Sequence, residues 1–61
     1  MKHISTLQIV FYKNENVYAY RYDDQFGQTQ EEGVFPNLKD TIFSAMMHLK
    51  TFTLLEDIEE A

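Results

Sequence analysis

Cysteine is missing from all 61 residues, and there are only one proline and two glycines. Without cysteine there can be no disulfide, no thiolate zinc site and no thiol nucleophile. Histidine is nearly as scarce. His3 and His48 stand far apart, with no close spacing to pre-arrange ligands, so neither a metal nor any other cofactor is expected. Long apolar runs are lacking too: none approaches the roughly 20 residues of a membrane span. Met1 to Lys13 has no basic start, apolar centre or small-residue cleavage site of a signal peptide. The expectation is a cytoplasmic chain with no membrane partner.

Cations are few, five Lys and Arg against ten Asp and Glu, for a net charge of −5. Lys2, Lys13 and Arg21 balance Glu15, Asp23 and Asp24 over residues 1–30, so the whole excess lies in residues 31–61. A phosphate backbone repels such a domain, which argues against general nucleic-acid binding.

A chain of this length buries only about 60% of the surface its unfolded form exposes. It is read as a single domain, 1–61, with a thin core. Small folds offset chain entropy with disulfides, metals, oligomerisation or very tight packing. With the first two set aside, and with 44% hydrophobic residues including five Phe and four Tyr, a homodimer is expected.

The fold class expected is α+β: an antiparallel β-hairpin, with a possible third strand near residues 51–58, covered by one amphipathic helix. From Ile4 to Lys13 the residues Leu7, Ile9 and Phe11 alternate with Gln8, Val10 and Tyr12, the period of a strand. Asn14 and Asn16 suit a tight reversal. Val17 to Tyr22 resumes the alternation, which makes a hairpin. Asp23 to Pro36 is polar, holds both glycines and reads as a loop, with Gln28 to Gln30 or Val34 and Phe35 as places for a short edge strand. Asn37 caps a helix, with Asp40 returning the bond as in a capping box. Leu38, Ile42, Ala45, Met46, Leu49 and Phe52 follow at spacings of three and four. Thr51, Phe52 and Thr53, and then four carboxylates, suit the end of a helix poorly, so the helix is expected to break near Lys50. One continuous helix to about Ile58 is the competing arrangement.

Candidate sites come from three patterns. Tyr18, Tyr20 and Tyr22 share one face of the second strand; either they form an outward aromatic surface for a partner, or they face the helix and complete the core. The first strand is apolar on both faces and does not decide between them. Glu56, Asp57, Glu59 and Glu60, set among Leu54, Leu55 and Ile58, form either a solvated tail or a row of carboxylates that imitates phosphates before a basic surface. Phe43, Met46 and Met47 give the helix apolar character beyond its core stripe; Met is adaptable at interfaces, but such residues are more often simply core. The paired acids Asp23 with Asp24 and Glu31 with Glu32 sit in a polar stretch, where neighbours keep ordinary acidities. No nucleophile elbow, phosphate-cradling loop or H-E-x-x-H occurs.

No enzyme is expected. The general character of the chain, small, acidic and cysteine-free with a hairpin and one helix, resembles that of phage-encoded inhibitors that bind and block a host protein. This implies a non-enzymatic protein-binding role by surface occupancy, with Tyr18, Tyr20, Tyr22, Glu56, Asp57, Glu59 and Glu60 as partner-binding candidates. One alternative is a structural or accessory subunit assembled through the tyrosine face; another is a weak single-stranded nucleic-acid binder using the same rings.

Overall fold

The computed structural model describes residues 4–24 and 26–61. Strand β1 (Ser5–Tyr12) turns through Lys13 to Asn16 into β2 (Val17–Asp23), which is followed by β3 (Thr29–Phe35), helix α1 (Leu38–Leu49), β4 (Phe52–Leu54) and β5 (Glu59–Glu60). These elements make the α+β fold that the periodicities predict.

The sheet runs β3-β2-β1-β4, and β5 joins β1 on the same edge as β4. β1 and β2 are antiparallel, with Leu7 opposite Tyr22, Ile9 opposite Tyr20 and Phe11 opposite Tyr18. Asn16 takes φ 57°, the left-handed backbone that the reversal needs and that Asn tolerates. β4 and β5 both run parallel to β1, so α1 is the crossover that returns the chain over the sheet.

Within the stretch that reads as a loop, the edge strand allowed for at Gln28 to Gln30 or at Val34 and Phe35 is present and longer than either: Thr29–Phe35 form β3, antiparallel to β2. The turn between the strands is short because Asp24 organises it: its Oδ1 accepts from the backbone N–H of Phe26 and of Gln28, while Gly27 takes φ 82°. β3 is an edge strand, exposed along nearly its whole length, so no alternation of apolar residues marks it. Its register slips where Gly33 and Val34 bulge opposite Ala19. Gly33 sits at φ 99°, and a Cβ built there would lie 1.8 Å from Cε2 of Phe35. Gly33→Ala should therefore cost about 1 to 3 kcal/mol, read by urea unfolding, as the ring is driven off and the backbone strained. An unchanged midpoint would place the bulge elsewhere.

Asn37 caps α1 as expected: its Oδ1 accepts from the Asp40 N–H at 2.8 Å. The return contact differs from a capping box, since Asn37 Nδ2 donates to Asp40 Oδ2 at 3.4 Å. Thr41 Oγ1 adds a bond to the Asn37 carbonyl. The helix stops at Lys50, φ 61°, whose N–H donates to the Met46 carbonyl. The break near Lys50 thus stands in place of a continuous helix to Ile58. The strand foreseen within 51–58 is β4, and β5 lies just beyond that span.

The core gathers Leu7, Ile9, Tyr20 and Ala45, with Tyr18, Tyr22, Phe35, Leu38, Ile42, Leu49 and Phe52 packed around them. α1 lies chiefly against β2 and β3. Met46, expected in the core stripe, is instead 56% exposed, because Thr41 and Ala45 supply the closest approach to the sheet.

Candidate binding surface

The tyrosine row faces the helix-side core, the second of the two placements its spacing allows, and not the outward one. Tyr20 is only 2% exposed, and its ring stacks on Phe35 at 6.1 Å and lies 6.0 Å from Tyr22. Tyr18 packs on Phe11 at 4.8 Å. The Tyr22 hydroxyl is 3.0 Å from His48 Nε2, and the two rings lie 5.4 Å apart at 61° to each other. Burial, reinforced by Glu32, Tyr20 and Asp24, pushes the Tyr22 hydroxyl above its ordinary pKa. Tyr20 and Tyr22 tie the hairpin to the helix-side core, and Tyr20 has no surface left for a partner, whereas Tyr18 is half-buried.

On the opposite face Val10 and Ala19, both fully buried, face each other across the β1–β2 pair. A polar layer covers that side. Arg21 Nε donates to Glu31 Oε1 at 2.8 Å, Arg21 Nη1 donates to Glu59 Oε2 at 2.6 Å, and the Tyr12 hydroxyl donates to Glu31 Oε2 at 2.7 Å. One guanidinium so links β2, β3 and β5, with its aliphatic stem over the apolar floor. Gln8 Nε2 adds a bond to the Asp57 carbonyl.

The Arg21 guanidinium and then the Tyr12 hydroxyl hold the Glu31 carboxyl below its ordinary pKa, while burial opposes them. A carboxylate whose pKa is lowered on folding stabilises the fold above its unfolded pKa and loses that contribution as pH falls through the folded value. Urea midpoints should accordingly drop below about pH 4.5, and Glu31→Gln should flatten that part of the profile. Arg21 and Glu31 side chains are 33% and 39% exposed, so solvent screening holds the change to about 1 kcal/mol or less. A Gln variant with the wild-type acid profile would assign the loss to other carboxylates.

The acidic end is an ordered edge rather than a free tail. Leu55 N–H donates to the Leu7 carbonyl, Ala61 N–H to the Phe11 carbonyl, and Lys13 N–H to the Ala61 carbonyl. All four of its carboxylates are exposed, and Glu59 is also engaged by Arg21. The structure thus brings Glu59 into the polar layer and sets Glu60 near Tyr18, the two lining one hollow with Phe11 and Ile58. The Arg21 bridge left no signal in the sequence, since it joins residues 10 and 38 positions apart.

Two shallow hollows stand out among the described residues. One, of about 250 Å³, is lined by Thr6, Gln8, Arg21, Tyr22, Asp23 and Thr29. The other, of about 280 Å³, is lined by Phe11, Tyr18, Ile58 and Glu60. Both fall just short of the roughly 300 Å³ at which small-molecule sites begin. Among the described residues no group of three or more His, Asp or Glu side chains is placed to hold a metal ion; His3 lies outside the described residues. None of the described helices is long and apolar enough to cross a membrane. No family model, curated protein or solved structure matches this chain.

Proposed function

We propose that this chain is a non-enzymatic protein-binding protein, inhibitor-like in working by occupying a surface of another protein, with its C-terminal edge as the contact. The observation that carries this reading is the ordered edge itself: Glu56, Asp57 and Glu60 stand exposed on a segment pinned to β1 by backbone bonds and by Arg21. Carboxylates fixed on a scaffold meet a basic surface at lower entropic cost than those on a loose tail, and they steer association by charge. A stacking platform for single-stranded nucleic acid is less favoured, because Tyr18, Tyr20 and Tyr22 pack against the helix-side core. An accessory-subunit reading draws on the exposed apolar residues of α1 instead of the tyrosines.

Affinity capture tests the proposal when run with wild type and with the combined Glu56→Gln, Asp57→Asn and Glu60→Gln variant at low and high salt. Association should slow on the order of tenfold in the variant, and salt should slow the wild type similarly. Capture that is indifferent to both changes would reject the acidic edge as the contact.

A further inference from the structure

Helix α1 carries two stripes. Leu38, Thr41, Ile42, Ala45 and Leu49 face the sheet. Lys39, Phe43, Met46, Met47 and Lys50 recur at the same spacings of three and four on another side. All five are exposed, Phe43 by 64%, Met46 by 56% and Met47 by 70%. The C-terminal edge has the opposite dressing. Leu54, Leu55 and Ile58 are 42% to 43% exposed and stand among Glu56, Asp57 and Glu60. Beside them lies the hollow lined by Phe11, Tyr18, Ile58 and Glu60.

We propose that a second copy of this chain covers both surfaces, the outer stripe of α1 in one copy lying on the C-terminal edge of the other, twice, about a twofold axis. The inference rests on the reading of that edge as a contact surface, and has the second copy cover it in the free protein, so that a basic target surface competes with that copy for the edge. Charge argues for this pairing. Two of the chain's five cations sit at the ends of the apolar helical stripe, roughly 16 Å apart along the axis. Glu56 and Glu60 are four residues apart in a segment that bends at Glu56 and Asp57, at most about 13 Å from each other and within reach of two lysine side chains. Area argues likewise. The six exposed apolar side chains present on the order of 600 Å² per copy, divided between the helix and the edge, and about 1,200 Å² for two copies, the lower bound of a specific interface. The 280 Å³ hollow has apolar walls and one carboxylate, and it has room for one large apolar side chain such as Phe43 of the other copy. A twofold arrangement uses both surfaces of both copies and leaves neither open to further growth.

The test is a charge exchange. Sedimentation equilibrium over a wide dilution series should show wild type approaching twice 7.3 kDa. A chain with Lys39→Glu and Lys50→Glu, and a separate chain with Glu56→Lys and Glu60→Lys, should each lose at least about tenfold in self-affinity. Mixed together they should form a heterodimer, because each helix then meets an edge of opposite sign. A wild type that stays monomeric, either variant dimerising as wild type does, or a mixture that fails to pair would overturn the proposal. So would a variant unfolded by circular dichroism, since these side chains would then not be the exposed ones argued above. A monomeric wild type that still captures a target through Glu56, Asp57 and Glu60 would sink the dimer and leave the function proposed above standing. Pairing on mixing, with capture indifferent to those carboxylates, would support the dimer and overturn the target-binding reading.

Discussion

Tyr20→Ser should leave most of the chain unfolded at room temperature. Tyr20 is 2% exposed at the centre of the helix-side core, between Tyr22 and Phe35 and opposite Ile9. Truncating a large buried aromatic costs about 3 to 5 kcal/mol, and a serine hydroxyl left in an apolar hole adds to the loss. At about 0.05 to 0.15 kcal/mol per residue, a domain of this length has some 3 to 9 kcal/mol in all. The substitution thus removes half or more of the total. Circular dichroism and urea unfolding read the result directly. A folded Tyr20→Ser chain with weakened partner binding would return the tyrosine row to the surface and contradict the placement of α1.

Leu7→Ala is the second large effect expected. Leu7 is fully buried on β1, opposite Tyr22 on one side and Leu54 on the other. It therefore joins the hairpin to the crossover strand, and its loss opens a cavity that two elements cannot both close. A cost of about 2 to 5 kcal/mol follows. Met47→Ala, which removes an equally apolar side chain that is 70% exposed, should change stability by no more than about 0.5 kcal/mol. Equal losses at the two positions would show that the outer stripe of α1 is part of the monomer's core, leaving nothing for a second copy to cover.

The hairpin and the helix were legible because their signals are local. Leu7, Ile9 and Phe11 alternate with their neighbours, Asn16 accepts the left-handed turn, and Asn37 meets the helix N-terminus at Asp40. The end of the helix at Lys50 could be read from the β-branched and acidic residues that follow it. The acidic edge was visible as composition, and the apolar surplus at Phe43, Met46 and Met47 as a pattern beyond the core stripe.

Tertiary structure alone decided the rest. β1 is apolar on both faces, so only the position of α1 chose between an exposed and a buried tyrosine row. β3 has no buried face, and an edge strand of that kind carries no alternation by which residues 29–35 could be told from a loop. Parallel pairing of β4 and β5 with β1 joins residues more than 40 positions apart; no local preference encodes such a register, which becomes favourable only once the crossover helix has docked. Arg21 is the clearest case. By itself it is one cation on a strand, and only the assembled sheet brings Glu31 and Glu59 to it and so turns the acidic end into a fixed edge.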